Sequence, residues 1–337
     1  MKLGLDFCDV LMIPCKSDVD SRANVMLERT FTFRNGNTWT TLPIVAANMD
    51  TVGTFSMARA FQSTNASVAL HKHYPIEEYV KNIPTTPNNV FYTTGIQDED
   101  RETTTRILES EELKEIGFNK LMIDTPNGYI SKMIKTVEYY RKTYPNMIIC
   151  AGNVASPEGV KMLADAGADI VKIGIGSGKL CNTRLKAGVG YPQFSLIQEC
   201  VENNTSDVYL MSDGGINNPG DAAKAFGAGA DFVMIGTMFA GHAESETETY
   251  MSDNHREYTV IYGMSSSTAM DKYHGGVASH RTCEGRTMSV KFKGDVVDCL
   301  KDLCGGLRSA GTYLGASRIQ DFSLTSSFIQ VNRQVNH

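Results

Sequence analysis

No stretch of this 337-residue chain approaches the ~20 consecutive apolar residues that carry a helix across a bilayer. A basic surface is lacking too: 32 Lys and Arg against 38 Asp and Glu leave a net charge of -6, which argues against a nucleic-acid or polyanion partner. The eight cysteines, at positions 8, 15, 150, 181, 200, 283, 299 and 304, contain no Cys-x-x-Cys pair, so neither a zinc site nor a disulfide framework has a pattern to rest on. The opening Met1-Lys2-Leu3-Gly4-Leu5-Asp6 has no apolar core of signal-peptide length, and scattered thiols then predict a reduced, cytoplasmic protein away from membranes. Low-complexity sequence is negligible, with Ser245 to Thr249 expected as a mobile polar turn.

What the chain does have is rhythm. Short apolar runs at Pro43–Ala47, Val68–Leu70, Val90–Thr94, Lys120–Ile123, Met147–Ala151, Asp169–Ile173, Val208–Met211 and Phe232–Ile235 alternate with stretches of helical length. Those include Thr54–Gln62, Thr103–Ile116, Ile130–Tyr144 and Pro157–Ala166. Ser156-Pro157 and Asn218-Pro219 read as helix starts, a polar cap followed by Pro in the first turn. Eight strand–helix alternations predict an α/β fold with a parallel sheet, and eight units close a (β/α)8 TIM barrel, the open doubly wound sheet being the alternative. An internal echo fits this: Ala166-Gly167-Ala168-Asp169-Ile170-Val171 and Phe226-Gly227-Ala228-Gly229-Ala230-Asp231-Phe232-Val233 each read as helix end, tight turn and buried strand. One barrel domain is therefore expected over 1–337. It has a β lead-in over 1–40 that forms a lid or edge, and a flap over about 252–293 after the eighth strand. Strands are expected at Glu257–Tyr262 and Thr287–Phe292, with helices over Asp295–Leu303 and near Ala316.

The chemistry gathers at the tips of the later strands. Gly174-Ile175-Gly176-Ser177-Gly178-Lys179-Leu180-Cys181-Asn182-Thr183-Arg184 follows a buried-strand pattern, and its glycines allow sharp turning and close approach to a ligand. Its thiol suits covalent attack on carbon. Loops after the seventh and eighth strands form the frequent phosphate site of such barrels, which assigns Gly214, Gly215 and Gly236 to a phosphate and Asp213 to ribose hydroxyls. Glu284, in the flap, could relay a proton to a leaving group through Thr183, although taken by itself it reads as a solvated surface carboxylate. His71-Lys72-His73-Tyr74 looks metal-like, but the reading preferred here turns His71 inward and sets Lys72 against an anion or cofactor.

Nearly the whole chain resembles the IMP dehydrogenase/GMP reductase barrel family, and within it the reductase branch. The segments that carry the resemblance are Asp6-Phe7-Cys8-Asp9-Val10-Leu11, Ala47-Asn48-Met49-Asp50-Thr51-Val52-Gly53, His71-Lys72-His73-Tyr74 and Ala151-Gly152-Asn153-Val154. Further along stand Gly188-Val189-Gly190-Tyr191-Pro192-Gln193, Ser212-Asp213-Gly214-Gly215, Phe232-Val233-Met234-Ile235-Gly236, Tyr262-Gly263-Met264-Ser265-Ser266 and Gly305-Gly306-Leu307-Arg308-Ser309.

The resemblance implies reduction of GMP by NADPH to IMP, with ammonia released through a covalent thioimidate on Cys181 and with Thr183 and Glu284 expelling the amine. It further implies nucleotide contacts from Asp213, Gly214, Gly215, Gly236, Thr237, Gly263, Met264, Ser265, Arg281 and Gly285. Dinucleotide contacts would come from Ser21, Arg22, Lys72, Asp124, Thr125, Pro126, Gly176, Met264, Ser309 and Thr312, some of them across subunits of a homotetramer. Potassium would rest at Gly176, Gly178, Cys181 and Arg184. The chain departs from the family's usual pattern at Ser177 and Lys179 (Pro and Ser elsewhere), at Thr237, at His280 and at Thr125-Pro126. The sister activity, IMP oxidation, would require a flap Arg-Tyr pair and a regulatory insertion, and no such pair stands in residues 264–290. A barrel that binds nucleotide without turnover is the remaining alternative.

Overall fold

A computed structural model describes residues 2–82, 89–114, 118–252 and 257–332. Eight parallel strands, Ile44–Ala46, Ser67–Leu70, Val90–Thr94, Lys120–Asp124, Ile148–Val154, Ile170–Ile173, Tyr209–Asp213 and Phe232–Ile235, close into a barrel. The eighth pairs back onto the first, Val233 opposite Ile44. Nearly every residue of these strands is buried, because strands covered on both faces need apolar side chains throughout rather than an alternation. The fold is thus the TIM barrel and not the open sheet.

Helix starts follow the cap chemistry. Thr54, Ser156 and Asn218 accept from the amides of Met57, Gly159 and Asp221 at 3.0, 3.2 and 3.0 Å, each such cap contributing about 1 kcal/mol. Pro157 and Pro219 occupy the first turns, where a missing N–H costs nothing.

The lead-in departs from expectation. Arg29–Thr32 pairs with Thr38–Thr41 as a hairpin, and its Phe31 and Trp39 stack on Phe232 at centroid distances of 4.2 and 5.6 Å. Phe232 begins its strand, so the hairpin plugs the barrel's N-terminal mouth, away from the strand tips. Val10–Met12, within the polar lead-in, pairs with Phe328–Gln330 of the tail.

Other expectations change as well. The helix expected over Thr103–Ile116 begins at Asp98, ends at Glu109 and resumes over Glu111–Lys114; Ile116 lies outside the described residues. Ser245 to Thr249 is tied down rather than loose. Ser245 is fully buried and its Oγ accepts from Gly241 N at 3.0 Å, while Glu246 accepts from Ser56 and Tyr74 hydroxyls at 2.7 and 2.9 Å. The helix expected to stop at Leu303 runs over Val296–Leu314, straight through Gly305 and Gly306, and the turns beyond it are Ile319–Asp321 and Phe322–Thr325 rather than near Ala316.

Packing explains that last difference. A Cβ on Gly306 would stand 2.4 Å from Pro219 Cβ, so the glycine is required for the helix to lie against its neighbour; a Cβ on Gly305 would meet nothing within 4 Å. Gly306→Ala is therefore expected to lower stability by about 1–3 kcal/mol through overpacking. Gly305→Ala is expected to raise it by up to ~1 kcal/mol through reduced freedom of the unfolded chain. Denaturant unfolding of both variants checks the pair, and equal effects would refute the packing account.

Candidate active site

The C-terminal tips of the barrel strands surround one cleft of about 270 Å³. Cys181 lies on the loop that follows the sixth strand, held by a turn in which its amide donates to Gly178 O at 3.0 Å. Its Sγ donates to Thr183 Oγ1 at 3.2 Å, and Thr183 Oγ1 donates to Glu284 Oε2 at 2.7 Å. Glu284 comes from 101 residues further along and is not a free surface carboxylate. The flap brings it in as a β-bridge: Cys181 faces Gly285, Asn182 N donates to Glu284 O at 2.6 Å, and Arg286 N donates to Leu180 O at 2.8 Å. Close backbone approach demands glycine here, since a Cβ on Gly285 would stand 2.5 Å from Ser266 N.

A second charged group lies beneath. Lys172 sits inside the sixth strand with its side chain 1 % exposed, donating to Asp124 and, at 3.3 Å, to Asp213. Burial alone would lower the Lys172 pKa, but Asp124 and Asp213 overcome it and hold the ammonium raised. Asn153 Nδ2 ties Asp213 Oδ2 at 2.8 Å to Gly174 O at 2.9 Å. Asp213 Oδ1 keeps no hydrogen-bond partner among the described residues, an acceptor available to a hydroxyl. Asn153 Oδ1 is likewise buried without a partner.

The flap is anchored at its far end by Asp50, whose Oδ2 accepts from Tyr262, Tyr273 and Lys272 at 2.5, 2.7 and 3.0 Å. Tyr273 and Lys272 belong to Ser267–His274, a flap helix that the polar pattern did not announce. His73 stacks on Tyr273 and His71 on Tyr74 at 3.6 and 3.9 Å between centroids, and burial lowers their pKa values to about 4 and about 3. Both rings are neutral packing groups at pH 7.

These relationships can be set against relatives. The model of the IMP dehydrogenase / GMP reductase domain matches residues 4–336. The chain belongs to that family. A GMP reductase of Caenorhabditis elegans is 46% identical over 339 residues, covering 98% of this chain and 93% of the relative. Human GMP reductase 1 is 46% identical over 339 residues, covering 99% and 97%. A GMP reductase of Salmonella paratyphi B is 45% identical over 340 residues, covering 99% and 96%.

Within this family member the residues singled out from sequence fall into two groups. Asp124, Thr125, Pro126, Gly176, Gly178, Cys181, Thr183, Asp213, Gly214, Gly215, Gly236, Thr237, Gly263, Met264, Ser265, Glu284 and Gly285 line the cleft together. Ser21, Arg22, Ser309 and Thr312 do not. The turn Arg22–Asn24 lies against the helix Val296–Leu314, outside the cleft. Lys72 is also elsewhere, paired with Asp100 at 2.7 Å, and Arg281 is exposed on the flap. The Arg184 guanidinium grips Asp6 through two bonds of 2.7 and 3.2 Å, so only its carbonyl is left for a cation.

Sequence reasoning missed Asp6, Asn153, Lys172 and Asp50. Lys172 had a usable signal, a lysine inside an otherwise apolar strand, which needs buried counter-charges.

Two outcomes test the electrostatics. Lys172→Met leaves two carboxylates together without their cation and is expected to cost about 3–5 kcal/mol in denaturant unfolding; a loss below ~1 kcal/mol would remove the ion triad from the account. For Asp50, burial pushes the carboxyl up, but the donors of Tyr262, Tyr273 and Lys272 outweigh it and hold the pKa lowered. A depressed carboxylate adds stability above its unfolded value near ~4 and loses it as pH falls through the folded one. The protection of the flap-helix amides, taken relative to their intrinsic exchange at each pH, is thus expected to fall in acid below about pH 4, and to be low already at neutral pH in Asp50→Asn. Unchanged exchange in Asp50→Asn rules the anchor out.

Proposed function

We propose that this chain reduces GMP to IMP with NADPH and releases ammonia. The observation that carries the reading is the Cys181–Thr183–Glu284 hydrogen-bond chain in a cleft of a full-length relative of GMP reductases.

The chain's direction supplies the proton bookkeeping. Cys181 gives its proton toward Thr183 as Thr183 passes its own to Glu284, and the thiolate adds to the purine's C2. Glu284, now protonated, returns the proton through Thr183 to the departing amino group, which leaves as ammonia. The thiol's proton therefore leaves with the amine, and a thioimidate on Cys181 remains. NADPH, when bound, supplies the hydride that replaces the amino group at C2 and frees the thiolate. Asp213 Oδ1 suits the ribose hydroxyls, and Gly214, Gly215 and Gly236 suit the phosphate.

The cleft fits a nicotinamide. Asp124, Thr125 and Pro126 share it with Cys181, and the orphaned acceptor Asn153 Oδ1 complements a carboxamide N–H. Ser21, Arg22, Ser309 and Thr312 form a separate surface, which supports the homotetramer reading in which they reach a neighbour's dinucleotide. Potassium on the Gly176, Gly178 and Cys181 carbonyls belongs to the same reading, since neutral oxygens suit a hard cation. Eight free thiols favour the cytoplasm.

The assay mixes protein, GMP and NADPH and follows both the reduced nicotinamide and ammonia. Cys181→Ala is expected to abolish turnover while GMP binding persists. Thr183→Ala and Glu284→Gln are expected to slow ammonia release by about 10²–10⁴-fold. IMP-dependent reduction of NAD without any GMP-dependent oxidation of NADPH reverses the direction, and full activity of Cys181→Ala removes the covalent step.

A further inference from the structure

Among the described residues five charged side chains line the cleft; three are paired with one another and a fourth is held by a hydroxyl. Lys172 holds Asp124 and Asp213, and Glu284 accepts from Thr183. Lys179 alone has no hydrogen-bond or ion-pair partner among the described residues, and it is exposed. An unpaired cation at the mouth of a closed-up polar site invites an anion.

Its location is specific. A Cβ on Gly214 would come within 2.5 Å of Ser177 Oγ and 3.1 Å of Gly178 N, and Ser177 Oγ donates to Asp213 O at 3.2 Å. The segment carrying Lys179 therefore lies directly on the turn after the seventh strand, where Gly214 and Gly215 take left-handed φ of +96° and +84°. A second ammonium stands on the loop after the eighth strand: Lys293 donates to the carbonyls of Thr237, Met238 and Ala240 at 3.2, 3.1 and 2.7 Å. Burial lowers the Lys293 pKa first of all; Cys299 opposes this, and the charge of Lys179 lowers it further. Two like charges thus converge over two glycine-tipped turns, an arrangement that repels itself when empty and is relieved by a doubly negative ligand.

We propose that Lys179, backed by Lys293, grips the 5′-phosphate of the bound nucleotide and makes the site select nucleotides over nucleosides by charge. Lys179 is then a binding and specificity-determining residue of the site described above, and the proposal rests on the purine-nucleotide reading of that site. Lys293 contributes at longer range, because its own donors are used on the loop that shapes the phosphate seat.

Calorimetric titration of wild type, Lys179→Ser and Lys179→Arg with GMP, guanosine and AMP, each at low and high salt, tests this. Lys179→Ser is expected to weaken GMP binding on the order of ten- to a hundredfold, as for loss of a charge-assisted hydrogen bond. Its guanosine affinity should stay unchanged and its salt dependence become shallower. Lys179→Arg is expected to keep most of the GMP affinity. Wild-type affinity for GMP in Lys179→Ser with unaltered salt dependence overturns the proposal, as does a wild type that binds guanosine as tightly as GMP. A wild type that binds AMP through Lys179 but ignores GMP keeps the phosphate grip and instead overturns the guanine reading. Because the side chain is exposed, Lys179→Ser is expected to unfold at the wild-type midpoint, which separates a binding loss from a folding loss.

Discussion

The site exists because two backbone segments far apart in sequence form a single β-bridge. Cys181 and Gly285 face each other, with the amides of Asn182 and Arg286 donating across the contact. Two such bonds contribute only about 1 kcal/mol each. They nonetheless set the distance between Glu284 and Thr183, and hence whether the thiol has a proton acceptor at the end of its relay. The bridge is tight enough that Gly285 must lack a side chain, since a Cβ there would meet Ser266 N at 2.5 Å, and a Cβ on Gly263 would crowd Leu180 O at 3.0 Å. A flap held by so few bonds needs a second attachment, and Asp50 supplies it by gathering three donors from the flap on one carboxylate oxygen.

Beneath the bridge the barrel solves a different problem. Asp124 and Asp213 bring two carboxylates into the cleft near the barrel axis, where an isolated charge is expensive. Lys172 sits between Asp124 and Asp213 and makes the group net singly negative instead of doubly so. Asn153 fixes the orientation of Asp213 by binding the same oxygen that Lys172 uses. One oxygen of Asp213 is thereby spent on the interior and the other is left for a ligand. The triad links the fourth, sixth and seventh strands, so the geometry of the ligand-facing carboxylates is set by the sheet rather than by loops.

The barrel was legible because a parallel strand buried on both faces leaves a continuous apolar run, and eight such runs are visible without any knowledge of their pairing. The cysteine loop, Asp213 and the glycine tips were legible for a related reason: they immediately follow those runs. Elements outside the rhythm were harder to read. The helix Val296–Leu314 reads from sequence as ending at Leu303, ahead of Gly305 and Gly306, because local propensity disfavours two glycines in a helix. The requirement for Gly306 lies in Pro219, 87 residues earlier, and no local pattern encodes it. The flap helix Ser267–His274 has a polar sequence whose partner is Asp50, again distant. Asp6 reads as part of a polar lead-in, yet it clamps Arg184 and so steadies the turn behind Cys181. Long-range partners, not intrinsic preferences, decide each of these cases.

The two ends of the barrel divide stability from chemistry. At the N-terminal mouth Phe31, Trp39 and Phe232 stack, and Lys120 lies over the Trp39 ring at 4.8 Å, a plug made of dispersion and cation–π attraction that needs no solvent access. At the C-terminal mouth, the charges are paired in depth and progressively less so toward the rim: Lys172 is enclosed, Glu284 accepts from Thr183, and Lys179 has no hydrogen-bond or ion-pair partner among the described residues. Under the proposed function that gradient would order the events of binding. An anion arriving from solvent meets the unpaired cation first, where long-range attraction operates through water. Under the proposed function the purine would then descend to the thiol, while the triad at the bottom keeps its single net negative charge.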